Sequence, residues 1–132
     1  MEQILYKVVN EAGRLLRADE MRFADSGGFV TAVTLTFERL TIHITTLPDD
    51  DTISVRLDSP PEDSECVTVT ATKQSPWVGV YGGECRWAWS LTNQQGYRDG
   101  VRLEFRTDAG SRVIELIVVA SEIHYYEFTN SV

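Results

Sequence analysis

Phe29-Val30-Thr31-Ala32-Val33-Thr34-Leu35-Thr36-Phe37, then Glu38-Arg39, then Leu40-Thr41-Ile42-His43-Ile44-Thr45 is the stretch that decides the fold. Phe29, Thr31, Val33, Leu35 and Phe37 fall on one face of an extended chain. Leu40, Ile42 and Ile44 share a face of the next segment, with Thr41, His43 and Thr45 opposite. A period of two marks a half-buried strand, and β-branched side chains suit a pleated surface.

The same alternation continues along the chain. Ile53, Val55 and Leu57 alternate with Thr52, Ser54 and Arg56, and Val67, Val69 and Ala71 alternate with threonines. Cys85, Trp87, Trp89 and Leu91 oppose Glu84, Arg86, Ala88 and Ser90; Val101, Leu103 and Phe105 oppose Arg102, Glu104 and Arg106. Thr107-Asp108-Ala109-Gly110 offers a hairpin turn in which glycine takes positive φ. Val113 to Val119 is apolar on nearly both faces, which predicts a central strand covered on both sides. Ile123 to Phe128 forms a last strand.

The first dozen residues differ. Ile4, Leu5, Val8, Val9 and Ala12 have helical spacing, so we expect a short helix ending near Asn10 and a strand over 14–23. Pro60-Pro61 cannot continue a strand ladder, which makes 58–65 irregular, as is 73–83. The expected fold is mainly β, α+β at the margin. It is a single antiparallel, strongly curved sheet, or a barrel or sandwich, of about 7–9 strands with a short N-terminal helix. Residues 1–132 form one domain.

Composition narrows the functional classes. The chain has 132 residues, 42% hydrophobic and 24% charged, an ordinary globular balance. No apolar run approaches the roughly 18 residues that cross a bilayer. Met1-Glu2-Gln3-Ile4 lacks the basic start and apolar run of a secretory signal. We therefore expect a cytoplasmic protein with no membrane partner. Cys66 and Cys85 are then free thiols, and strand phase places them on different faces.

Trp87-Ala88-Trp89-Ser90-Leu91-Thr92-Asn93-Gln94-Gln95-Gly96-Tyr97-Arg98-Asp99-Gly100 combines two indoles with a loop dense in amides. Trp87, Trp89, Asn93, Gln94, Gln95, Tyr97 and Asp99 are the candidate binding residues. The bland alternative puts both indoles in the core and uses Asn93 to Asp99 to lock a corner. On phase alone we expect the indoles to face the core. Exposed indoles flanking a cleft with Tyr97 would instead favour a small ligand.

The pattern W-x-W-x-x-x-N-Q-Q-G-Y-x-D-G, with the upstream Leu40-Thr41-Ile42 strand leading to Asp50-Asp51-Thr52-Ile53, resembles a family of small bacterial proteins of uncharacterised function. The likeness covers about residues 13–58 and 84–106. It implies a single-domain bacterial cytoplasmic protein and carries over no activity, cofactor or catalytic residue.

Catalytic signatures are missing. His43 and His124 stand in no metal-ligand spacing, and no sharp nucleophile turn surrounds either cysteine. A calcium loop begun at Asp49 would place Ile53, Ser54 and Pro60 where an oxygen ligand, a glycine and a glutamate are needed. A nuclease P-D…E-x-K reading fails because Ala71 stands where the acid before Lys73 belongs. Gly79-Val80-Tyr81-Gly82-Gly83-Glu84 lacks the lysine and hydroxyl of a phosphate loop. We expect no metal, no cofactor and no catalytic residue.

Charge points to partners. The chain carries −8, and Asp49, Asp50, Asp51, Asp58, Glu62, Asp63 and Glu65, against Arg56 alone, hold a net −6 of it. Such a field opposes nucleic acid and favours a basic protein. The expectation is a non-enzymatic protein-binding module, of immunity or antidote type in one version and a homo-oligomer in the plainest. A small-molecule-binding β-barrel or weak enzyme with its pocket near Trp87, Trp89 and Tyr97 is the alternative.

Overall fold

The alternating segments become nine strands in a computed structural model that describes residues 1–23, 29–47, 51–57, 66–71 and 75–130. Helix α1 spans Glu2–Asn10; β1 Leu15–Phe23, β2 Val30–Phe37, β3 Thr41–Leu47, β4 Thr52–Leu57 and β5 Cys66–Thr70 follow. A 3-10 helix at Pro76–Val80 precedes β6 Glu84–Thr92, β7 Arg98–Thr107, β8 Gly110–Val119 and β9 Glu122–Asn130. The fold is mainly β, with one short N-terminal helix followed by a strand, as the spacing predicts.

The strands do not form one sheet. They form a five-stranded sheet, β4-β3-β2-β1-β5, and a four-stranded one, β6-β7-β8-β9, each antiparallel throughout. Neither closes into a barrel. A lone bridge between Arg14 and Glu84, flanked by Leu15 N–H to Gly83 O at 2.9 Å and Gly82 N–H to Leu15 O at 2.8 Å, joins the two at one corner. The physical reason is the connection after β5. It runs through the 3-10 helix, started by Ser75-Pro76, and begins a new ladder instead of extending the old one.

Both sheets turn one face into a shared core. Leu35, Ile42 and Ile44 from the first meet Leu103, Phe105 and Leu116 from the second, and α1 adds Leu5 and Val8. Phe37 and Phe105 lie nearly parallel with centroids 6.5 Å apart, an aromatic contact between the sheets. Trp77, fully buried, stands edge-on to Phe105 at 6.3 Å and to Tyr125 at 5.7 Å.

A polar chain runs through this core. The Trp77 indole N–H donates to the Tyr125 hydroxyl at 3.0 Å, and that hydroxyl donates to Glu20 Oε2 at 2.6 Å. Arg22 Nη2 donates to Glu20 Oε1 at 2.7 Å. Burial, then the charge of Glu20, raises the Tyr125 pKa far above its ordinary value. Each buried group thus has a partner, which is what makes a carboxylate tolerable there.

Strand β8 departs from expectation. It lies between β7 and β9, but only Ile114, Leu116 and Val118 are buried. Val113 and Ile117 are half-buried and Val119 is exposed, so the core covers one face of β8 and not both.

Candidate functional site

The candidate site begins at an irregularity in β6. Cys85 pairs with Phe105 and Trp87 with Glu104, so Arg86 is an extra residue opposite one partner. This bulge reverses the phase of everything after it. Cys85 stays in the core, while Trp87 and Trp89 turn to the outside, 60% and 41% exposed. The core placement expected from alternation is therefore corrected, and Ala88, opposite Leu103, takes the inward position.

The outward side chains line up in rows across the four strands. Trp87, Glu104, Val113 and Phe128 form one row; Trp89, Arg102, Glu115 and Tyr126 form the next. Tyr126 and Phe128 are exposed as well. The two indoles lie 24° from parallel with centroids 6.4 Å apart. The Arg102 guanidinium sits 5.5 Å from the centre of Trp89 and 5.6 Å from that of Phe128, so it fills the space between the aromatics. Its Nε is buried without a hydrogen-bond acceptor, the nearest carboxylate being Glu115 at 3.9 Å.

The amide-rich loop divides into corner and surface. Asn93 Oδ1 accepts from Gln95 N at 2.9 Å and from Tyr97 N at 3.2 Å, while Asn93 N–H donates to Tyr97 O at 2.9 Å. Gly96 supplies the positive φ of 89° that the turn requires. Asp99 accepts weakly from Asn93 Nδ2 at 3.5 Å. Asn93 thus serves the backbone, Asp99 touches only the Asn93 side chain, and the exposed Gln94, Gln95 and Tyr97 present free side chains.

Beside Trp87, on the seam with α1, lies an open groove of about 700 Å³. Leu5, Tyr6, Val9, Arg86 and Trp87 form its walls, and neither Trp89 nor Tyr97 lines it. Glu2 edges the groove, paired with Arg98 at 2.9 Å and accepting from Ser90 Oγ at 3.2 Å. A hydrogen bond from its own backbone N–H, followed by Arg98, holds the Glu2 carboxyl below its ordinary pKa.

Other candidates from the sequence are dispersed. Burial pushes the Cys85 thiol up to about 12, which keeps it neutral and unreactive at physiological pH. His43 is buried, its Nδ1 2.8 Å from Thr34 Oγ1; His124 is exposed, 3.3 Å from Glu122. Of the acidic set, Asp51 accepts from Ser121 N at 2.9 Å, tying the β3–β4 connection to the β8–β9 turn. Asp49, Asp50, Asp58, Glu62, Asp63 and Glu65 lie outside the described residues, as does the Cys66 side chain. No group of three His, Cys, Asp or Glu is placed to hold a metal among the described residues. No helix among them is long and apolar enough to cross a membrane.

Sequence reasoning missed Trp77, Tyr126 and Phe128. The Ser75-Pro76 start signal preceded Trp77, and Tyr126 and Phe128 alternate with Glu127 on the final strand, so each had a trace in the sequence.

The chain belongs to DUF6334, a family of unknown function whose model matches residues 1–131. No curated protein and no solved structure matches the chain.

Proposed function

We propose that this protein is a non-catalytic protein-binding module that associates through the outer face of the four-stranded sheet. One observation carries the reading. Of the ten large apolar side chains exposed among the described residues, Trp87, Trp89, Val119, Tyr126 and Phe128 lie together on this face. Clustered exposed aromatics mark contact surfaces, and Trp, Tyr and Arg dominate binding energy where such surfaces meet. The net −8 of the chain suits a basic partner on surfaces beyond this face, in the manner of an immunity protein in a bacterial cytoplasm.

The test is capture from the native host with the wild-type chain and with Trp89→Ser/Tyr126→Ser. A protein retained at stoichiometric yield by the first and lost by the second supports the reading. Capture that ignores both substitutions removes the face from the mechanism.

The α1–β6 groove favours a second reading, since its volume lies in the range of small-ligand sites. In that version a ligand contacts Tyr6 and Trp87, and Tyr6→Ala abolishes its binding while leaving association through the sheet face intact.

A further inference from the structure

We infer that the occupant of the aromatic sheet face is a second copy of this chain, so that the protein is a two-fold dimer with these faces packed together. The inference rests on the proposed association through this face and supplies its partner.

Charge is the first argument. The outward charged side chains paired across the four strands are Arg102, Arg106, Glu84, Glu104, Glu115 and Glu122, a net −2 in a chain of −8. Two copies of a strongly acidic protein repel each other, and a face this near neutral adds little to that repulsion. A basic partner, conversely, gains little from a face of this balance.

The second argument is self-complementarity, which an isologous interface requires because the same patch must fit itself. Arg102 donates no hydrogen bond, its nearest ion pair being the long 3.9 Å contact to Glu115, and its guanidinium is partly exposed; among the described residues Glu104 forms no ion pair. They are successive outward residues of β7. A two-fold axis passing between them sets each Arg102 against the second copy's Glu104. The unused donor and the unused acceptor then satisfy each other twice, at the centre of the aromatic patch.

Area agrees. Four strands about 4.8 Å apart and about 30 Å long present a face on the order of 20 by 30 Å. Its side-chain relief brings the accessible area near the roughly 800 Å² per partner of a standard interface. Trp87 and Trp89 on β6 and Tyr126 and Phe128 on β9 flank the central Arg102–Glu104 pairs as two apolar strips, and Glu122 and Arg106 supply the rim.

Sedimentation of the purified chain over a wide dilution range tests this. We expect twice the chain mass, falling to the monomer for Trp89→Ser/Tyr126→Ser, whose melting temperature stays near the wild-type value at dilutions where both are monomeric. Arg102→Glu or Glu104→Arg alone weakens the dimer on the order of thirtyfold, as a central contact does. Combining Arg102→Glu with Glu104→Arg in one chain restores it, because the two-fold exchanges the charges. Acrylamide quenching of the exposed indoles falls with concentration in the wild type only. A wild-type chain that remains monomeric overturns the inference, and if it still captures a host protein through Trp89 the protein-binding reading survives alone. A dimer indifferent to all four substitutions places the contact elsewhere and overturns the inference too.

Discussion

The two sheets face the core with the same chemistry and face outward with opposite chemistry. Inward, Ala18, Leu35, Ile42 and Leu57 form a row in the five-stranded sheet, and Ala88, Leu103 and Ile114 form one in the four-stranded sheet. On its other face the first sheet carries Thr70, Asp19, Thr34, the buried His43 and Arg56 in one row; the second carries Trp89, Arg102, Glu115 and Tyr126. Threonine satisfies a strand as well as an aromatic does, because its branched β-carbon suits the pleat and its hydroxyl suits water. Strand formation therefore does not explain the aromatics of the second sheet. Contact does.

The contrast extends to the tryptophans, and the largest predicted effect tests it. Trp77→Ala removes a side chain that touches Phe105 and Tyr125 and leaves the Tyr125 hydroxyl short of a donor. We expect a loss of about 3–5 kcal/mol in chemical denaturation. A loss under about 1 kcal/mol would break the division into one structural and two surface indoles, since surface changes stay near that size.

Alkaline pH probes the inward side next. Cys85 and Tyr125 hold their protons more tightly folded than unfolded, so the native state binds more protons above the ordinary thiol pKa. The stability they lend is complete below about pH 9 and is lost as pH rises through about 12. For Cys85 the swing is on the order of 3–4 kcal/mol. Melting followed between these limits should fall less steeply in Cys85→Ala than in the wild type. Equal slopes would mean that the thiol is not shielded by the core.

A subtler change sits in the polar chain. Tyr125→Phe keeps the ring and deletes the hydroxyl, stranding the Trp77 N–H and one oxygen of Glu20. The expected cost is about 1–3 kcal/mol, the penalty for a buried group left unpaired. Its counterpart on the surface is Asn93→Ala, which removes the acceptor of two loop N–H groups in a half-exposed turn. About 1 kcal/mol is expected there, read as a small shift of the denaturation midpoint with an unchanged slope.

These positions also show what the sequence made legible. Alternation over Val33, Leu35, Phe37, Ile42 and Ile44 placed the first sheet's core correctly, because no bulge interrupts β2 against β3. The same rule failed at Trp87 and Trp89. One inserted residue, Arg86, reverses the phase, and nothing in its neighbours' identities announces the insertion. Val113 to Val119 was read as covered on both faces from its apolar content, yet half of that content lies uncovered on the sheet's outer side. Asn93 was legible as a turn residue from its type alone, whereas Asp99 lies in β7 and accepts only from the Asn93 side chain. The aromatic face was not legible, since Tyr126 and Phe128 join the indoles only through the order of strands in the sheet.

The smallest stability effect carries the sharpest version of the comparison. If Trp87 and Trp89 are held for contact, Trp87→Ser and Trp89→Ser should each change folding free energy by no more than about 1 kcal/mol. Trp89 lies over Arg102, but a cation–π contact at a partly exposed site contributes only about 0.5–1 kcal/mol, and serine on a strand avoids burying a new polar group. The measurement is urea denaturation at a protein concentration low enough that association does not add to stability, because a dimer interface raises the apparent midpoint with concentration. Repeated at high concentration, the wild type should gain stability and the two variants should not. If both variants instead lose about 3 kcal/mol at low concentration, as a buried indole would, the outward turn after Arg86 is not what the folded chain adopts. The two sheets would then no longer differ in the way their rows imply.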